Sequence, residues 1–313
     1  MVMLIRTLPD LASTDVELRQ SFNSRSEREN CLVLGRAKRA RFGPCAQGLS
    51  IRSVRGGEER CQFSGRTVAV DEDSFLILNN GRVCATYIES AQAVESFAIY
   101  FGSPLVERAY GAMTVCVEKA LERGEAIGER SVEFMETLQP HDRLVSPVLR
   151  FIRLHVQRGV DDDAWYDEQL HFLFERMLAH RDAVLERIDS LKLIRSTTRR
   201  EVYRRISLAT DYLHSNYREQ IDLDSLGKVA YLSKYHFLRL FTLVHGITPH
   251  QYLLRKRTRA ALRLLQTTAL DITEVAICVG FMQRHALLRQ MRRWTGLSPR
   301  EIRRAEVVPM IGA

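Results

Sequence analysis

The chain has 313 residues, a length that suggests about two domains. Its 45% hydrophobic content is ordinary for a globular protein, and its apolar runs are too short for the ~18 residues of a membrane span, so we expect no transmembrane segment. The net charge of +8 is unevenly distributed. Residues 205–313 hold 17 Lys and Arg against 8 Asp and Glu, whereas residues 1–204 hold 29 Lys and Arg against 30 Asp and Glu. The excess positive charge in the last third indicates a polyanion as its partner, and nucleic acid is the commonest one.

Six cysteines are scattered along the chain, and no two of them form a CxxC pair. This spacing disfavours a zinc knuckle or a dithiol redox motif and favours buried, inert thiols. The N-terminus lacks the basic, apolar and small-residue order of a signal peptide, so we expect a cytoplasmic protein.

Residues 31–101 alternate in the manner of strands, with turns at Gly56-Gly57, Gly65 and Asn80-Gly81. Several short strands at this spacing predict a small antiparallel barrel or sandwich. From Leu105 the pattern becomes helical, and an apolar stripe runs from Trp165 to about Leu193. The stripe packs either on its own domain or against the same helix of a second copy. The polar segment from Arg195 to Glu201 predicts a linker.

The last third contains an internal repeat. Residues 234–249 and 284–299 match in chemical type at an offset of 50, and each lies in a predicted helix-turn-helix. Phe237 and Phe241 in the first unit, like Leu287 and Met291 in the second, stand four residues apart and are expected to face the core. The residues on the opposite face of each second helix would then be exposed.

A helix between the two units carries five basic residues: Arg255, Lys256, Arg257, Arg259 and Arg263. They contact DNA phosphates or are solvated and locally salt-bridged, and the sequence leaves both alternatives open. A helix of about 18 residues is roughly 27 Å long, which would hold two recognition helices about one turn of B-DNA apart.

Four motifs in fixed order carry a family resemblance: "LSKYHFLRLF", "GITP", "TEVAICVGF" and "GLSP". Over residues 205–304 the chain resembles the DNA-binding domain of AraC/XylS-type transcriptional regulators. The resemblance implies base or backbone contacts from two recognition helices, and it implies that His236 points inward. The implied DNA-binding residues are Lys234, Tyr235, Leu238, Arg239, Arg284, His285, Leu288 and Arg289, with Arg257, Arg292 and Arg293 as candidate phosphate contacts.

The second unit departs from that family, which usually carries aromatics where Leu287, Met291 and Thr295 stand. Leu and Met nearly keep the volume, but Thr295 does not, so the second unit is expected to be looser unless Trp294 refills the space.

The N-terminal half resembles, more weakly, the cupin-like sensor domain of the same regulators. Because no His precedes His141, a metal-dependent cupin enzyme is disfavoured. We predict no metal, no cofactor and no catalytic residues. The ligand class stays open among an anionic metabolite, an apolar one, a partner protein and no ligand. Candidate effector contacts are Arg52, Arg55, Glu59, Tyr87, Cys61 and Cys84.

The predicted fold class is α+β. Residues 1–104 form a cupin-like β-barrel sensor, 105–194 a helical coupling or dimerisation segment, 195–204 a linker, and 205–304 the DNA-binding domain. Within it, helix-turn-helix units at about 224–245 and 272–295 flank a joining helix at about 249–267.

The resulting hypothesis is a homodimeric, sequence-specific regulator that binds double-stranded DNA, with RNA polymerase as a candidate partner. The alternative is a DNA alkyl-transfer repair protein with a similar domain. Such a protein needs four clustered Cys ligands for zinc, and the wide spacing of Cys31, Cys45, Cys61 and Cys84 argues against it.

Overall fold

A computed structural model describes residues 2–6, 28–108, 133–191 and 196–305, with only the backbone at 196 and 197. The chain folds into two compact units, Met1–Ser190 and Leu191–Ala313. Within the described ranges, no helix combines the length and the hydropathy that a membrane crossing requires. The predicted helix after Leu105 lies mostly outside these ranges, and only residues 103–108 are seen as helical.

The first unit contains an eight-stranded sheet with a long strand at its centre. Strand β7 pairs antiparallel with β2, β3 and β4, while β1 pairs parallel with β2. The strands are β1 Val2–Ile5, β2 Asn30–Gln47, β3 Ser50–Arg55, β4 Glu58–Phe63, β5 Arg66–Asp71, β6 Ser74–Leu78, β7 Arg82–Tyr100 and β8 Leu138–Pro140.

The closed barrel predicted for this unit is not confirmed, because the sheet is open. Along the order β1-β2-β7-β3-β6-β8, the two end strands pair with one neighbour each, and β5 pairs with β4 alone, within the part of the chain that the structure describes. The register of β2 against β7 shifts between Ala37 and Arg39 and again between Phe42 and Cys45. Such irregularities bend and twist a strand pair, which lets one half of β7 pair with β4 and the other half with β3.

One face of the sheet packs on two helices, α1 (Val145–Gln157) and α2 (Asp163–Asp189). Phe75 and Phe97 of the sheet share a core cluster with Tyr166 and Phe174 of α2. The predicted apolar stripe of α2 therefore packs on its own unit through much of its length.

The second unit is helical in every element that the structure describes. Its helices are α3 Ser196–Ser215, α4 Leu223–Val229, α5 Lys234–His245, α6 Pro249–Thr267, α7 Ile272–Cys278, α8 Arg284–Thr295 and α9 Pro299–Arg304. Side chains cap four of them: the carboxylates of Asp222 and Asp271 and the hydroxyls of Thr248 and Ser298 accept backbone N–H bonds at the starts of α4, α7, α6 and α9.

The linker predicted at 195–204 is instead the first half of α3, which begins at Ser196. Glu201 forms ion pairs of 2.8 Å with Arg204 and 2.7 Å with Arg205, at spacings of three and four residues. Such pairs stabilise a polar helix that shows no apolar period, which is why the hydrophobic pattern does not predict this one.

The repeat forms two helix-turn-helix units, α4–α5 and α7–α8, with matching cores. Phe237, Phe241, Leu287 and Met291 are all fully buried in one cluster, which confirms their predicted inward orientation. The turn of each unit contains one residue with positive φ, Tyr231 at 54° and Gly280 at 86°. A Cβ on Gly280 would lie 2.5 Å from the backbone oxygen of Arg218, so the two backbones approach too closely for any other residue.

Candidate nucleic-acid interface

The second helix of each unit exposes the face opposite its core. On α5, Tyr235 and Arg239 are exposed, and Lys234 and Leu238 are half-buried. Tyr235 is 77% exposed, which is high for an aromatic side chain and leaves the ring free for contacts outside the domain. Lys234 lies over that ring at 5.4 Å, so cation and aromatic form one surface.

Helix α8 presents the corresponding positions of the second helix-turn-helix unit. Arg284, His285 and Arg289 are exposed, and Leu288 is half-buried. Arg292 and Arg293 follow one turn later and are exposed as well. The predicted residues thus lie on one side of each helix, although their contacts with DNA remain a prediction.

Helix α6 joins the two units over 19 residues, about 28 Å of helix axis. A capping box fixes its start: Thr248 accepts from the N–H of Gln251, and the side chain of Gln251 accepts from the N–H of Thr248. Leu253, Ala261 and Leu265 bury its inner face. One continuous helix with a capped start therefore connects the two helix-turn-helix units.

A cleft of about 580 Å³ lies between α6 and α8, and sequence patterns do not predict it. Its lining combines an apolar floor that includes Leu254 and Phe281 with the basic side chains of His250, Arg289 and Arg293. Arg289 therefore lies at the border between the exposed face of α8 and this cleft.

The sequence of the helical unit is similar to those of known proteins. A family model described as a helix-turn-helix domain matches residues 226–305. The bifunctional transcriptional activator/DNA repair enzyme AdaA of Bacillus subtilis (strain 168) is 33% identical over 98 residues, which are 31% of this chain and 46% of that protein. The probable transcriptional regulator LumQ of Photobacterium leiognathi is 35% identical over 92 residues, 29% of this chain and 37% of that protein.

The helical unit, Leu191–Ala313, contains an AraC-type helix-turn-helix domain. The chain spans less than half the length of AdaA and of LumQ. A longer match, to the HTH-type transcriptional regulator YbfI of Bacillus subtilis (strain 168), is 26% identical over 224 residues, 69% of this chain and 73% of that protein. The similarity to AdaA is confined to 98 residues, so it does not extend over the whole of that bifunctional protein.

Among the described residues outside the AraC-type domain, the cysteines do not form the four-ligand zinc site that a zinc-dependent repair protein needs. Within the described ranges, no group of three or more His, Cys, Asp or Glu side chains is arranged to hold a metal ion. Cys45, Cys61 and Cys84 are free thiols.

Two residues of the AraC-type domain differ from the sequence prediction. His236, expected to point inward, is exposed on α5, because the core positions of that helix are filled by Phe237, Leu240 and Phe241. Arg257, expected to contact phosphate, is buried on α6 with 7% of its surface exposed.

Arg257 instead ties α6 to the segment between α3 and α4. Its Nε and one terminal nitrogen each donate a 2.6 Å hydrogen bond, to the backbone oxygens of Tyr217 and Glu219. Other cations of α6 also have partners inside the domain: Arg255 lies 4.7 Å over the ring of Trp294, and Lys256 contacts Nε2 of His214 at 2.9 Å. Trp294 is buried beside Thr295, whose hydroxyl donates to the oxygen of Met291 at 2.9 Å.

We expect Arg257→Ala to lower the free energy of unfolding of the AraC-type domain by about 1.5–3 kcal/mol, because the backbone oxygens of Tyr217 and Glu219 lose a charged donor. Denaturant titration in a Trp165→Phe background measures this, since the chain has two tryptophans and only Trp294 then reports. Arg259→Ala, on the same helix but at a half-buried side chain, is the matched control and should stay within about 0.5 kcal/mol of the parent. Equal stability of the two variants would contradict a structural role for Arg257.

Proposed function

We propose that this chain is a sequence-specific transcriptional regulator of the AraC/XylS type, in which α5 and α8 enter two successive major-groove segments of double-stranded DNA. The observation that carries the proposal is the pair of exposed, basic helix faces, on α5 and α8, that one continuous helix, α6, connects in an AraC-type domain. A major groove admits an α-helix, and successive segments on one side of B-DNA recur about every 34 Å. One chain would then contact both segments.

Arginines at the starts and outer faces of the recognition helices are proposed to specify bases. Arg284, the first residue of α8, is exposed and has the fork of donors that pairs with guanine O6 and N7. Arg239 and Arg289 hold the matching positions of the two units, Leu238 and Leu288 are placed for thymine methyl groups, and Arg292 and Arg293 for phosphates.

The N-terminal unit is proposed to be a cupin-like sensor over residues 1–104, followed by a coupling and dimerisation segment over 105–194. Support for a homodimer comes from exposed apolar side chains on the two helices of this unit, Phe151 and Leu154 on α1 and Phe172 on α2. An effector or partner that binds one state of this unit better would shift DNA occupancy, and RNA polymerase is a proposed partner of the DNA-bound form.

The test is the salt dependence of binding to a DNA site selected from a random pool. We expect the logarithm of affinity to fall linearly with the logarithm of salt concentration, by about 0.9 per phosphate contacted. The variant Arg292→Ala/Arg293→Ala should reduce that slope by roughly two without changing the selected sequence. Arg187→Ala removes an exposed charge from the N-terminal unit and should leave the slope unchanged. Salt-independent binding, or no binding, would refute the proposal.

A further inference from the structure

Three cysteines of the N-terminal unit form a row across three neighbouring strands. Cys45 of β2 is directly opposite Cys84 of β7 in the strand register. On the other side of β7, Cys61 of β4 is opposite Thr86. Because Cys84 lies two residues from Thr86, its side chain projects from the same face of the sheet as Cys61. The sequence separations of 16 and 23 residues gave no sign of this arrangement.

The two inner thiols of the row contact each other. Cys61 is 0% exposed and Cys84 is 1% exposed, and they share one core cluster. Their sulfurs hydrogen-bond, and this bond raises the pKa of Cys61, which burial raises further. The same bond lowers the pKa of Cys84, and the positive charge of Arg52 lowers it too. Of the two thiols, Cys84 is therefore the more acidic.

Arg52 is a buried cation, with 4% of its surface exposed. It donates 2.7 Å hydrogen bonds to Gln47 and to the hydroxyl of Tyr100, and its distance to Glu59 is 3.5 Å. Its Nε has no hydrogen-bond partner among the residues that the structure describes. This network holds Arg52 near the two sulfurs, where its positive charge lowers the pKa of each thiol and the negative charge of Glu59 raises it.

We propose that Cys84 and Cys61 are a redox-active pair that a peroxide converts to a disulfide and a thiol reductant restores. The Cys84 thiolate attacks one oxygen of hydrogen peroxide, the O–O bond breaks, and the hydroxide that leaves takes up a proton as water. Cys61 then loses its proton and attacks the Cys84 sulfur, which breaks the S–O bond and releases a second water. Two thiols and one peroxide give one disulfide and two waters.

The row of thiols runs from a half-buried position into the core. Cys45 is half-buried, whereas Cys84 is 1% exposed and Cys61 is 0% exposed. A small oxidant therefore reaches the pair through a local opening of the sheet.

Formation of the bond requires the strands to move. Diagonal neighbours on paired strands are about 7–8 Å apart from one α-carbon to the other, whereas a disulfide usually spans about 4.4–6.8 Å between the same atoms. The ladder between β4 and β7 has only three residue pairs, Arg60–Tyr87, Cys61–Thr86 and Gln62–Ala85. Oxidation would therefore draw β4 along β7 and give the N-terminal unit a second conformation.

The test treats the full-length protein with hydrogen peroxide, alkylates the remaining thiols under denaturing conditions, and maps unreduced tryptic peptides. Cleavage after Arg60, Arg66 and Arg82 places Cys61 and Cys84 in separate peptides, so a disulfide appears as one linked species. Before alkylation, we expect an intact mass lower by two hydrogen masses. After alkylation and digestion, we expect a linked peptide that joins Cys61 to Cys84, and its loss on treatment with dithiothreitol.

Matched variants separate this pair from general oxidation. Cys84→Ser and Cys61→Ser should lose the linked peptide, and Cys31→Ser, at another buried thiol, should keep it. No disulfide in the wild type, or a link from Cys84 to Cys45 or between two chains, would overturn the proposal. The wild-type map decides the matter even if a variant fails to fold, and it does not depend on whether the protein binds DNA.

Discussion

The double variant Arg239→Ala/Arg284→Ala is expected to lose about 2–6 kcal/mol of affinity for a selected DNA site, since each exposed arginine that contacts a base contributes roughly 1–3 kcal/mol. That range is a loss of about 30-fold or more. The two residues belong to different recognition helices, one on α5 and one on α8. Equilibrium titrations of labelled DNA at one fixed salt concentration measure the loss.

The single variants decide whether both helices bind in the same complex. Costs at separate sites add within about 0.5 kcal/mol, so the double variant should equal the sum of the two singles. Each single should relax base preference at its own position of the site, at two positions about one helical turn apart. Arg187→Ala is the control for loss of charge alone. A neutral Arg239→Ala beside a costly Arg284→Ala would mean that only α8 contacts bases, which contradicts the proposed two-segment complex.

Gly280→Ala is expected to destabilise the AraC-type domain by about 3 kcal/mol or more. At a φ of 86°, an L-residue loses about 1–2 kcal/mol relative to glycine. The added Cβ would also lie 2.5 Å from the backbone oxygen of Arg218, so the segment after α3 or the turn before α8 must shift. Denaturant unfolding followed by Trp294 fluorescence, in the Trp165→Phe background, measures the change.

Gly246→Ala is the matched control for that variant. Gly246 also has a positive φ, 69°, at the end of α5, but a Cβ there would meet no atom within 4 Å. This variant should therefore show only the conformational cost of about 1–2 kcal/mol. If the two alanine variants were equally stable, the close approach between Gly280 and Arg218 would not contribute to stability.

The internal repeat allowed much of the helical unit, Leu191–Ala313, to be predicted from sequence. Residues four apart in a helix share a face, so placing Phe237, Phe241, Leu287 and Met291 in the core also predicted which faces of α5 and α8 are exposed. Which residues share a helix face depends only on their spacing along the chain, so the periodic pattern of apolar residues predicts it directly.

Properties that depend on distant partners were not predictable in this way. Arg257 has the same charge as its neighbours on α6, and only the positions of the Tyr217 and Glu219 carbonyls show that it is buried. The open sheet depends on which strands pair with each other, and alternation of side chains does not reveal the pairing. The contact between Cys61 and Cys84 depends on the register of β4 against β7.

Tyr231 and Gly280, the two turn residues with positive φ, occupy equivalent places in the repeat, 49 positions apart. An alignment scored by residue type counts this pair as a mismatch, although the backbone has a positive φ at both positions. The first helix-turn-helix unit has a tyrosine, Tyr231, in this left-handed conformation, at a cost of about 1–2 kcal/mol. At this place the two helix-turn-helix units share a backbone torsion angle and not a residue type, so they are more alike in structure than in sequence.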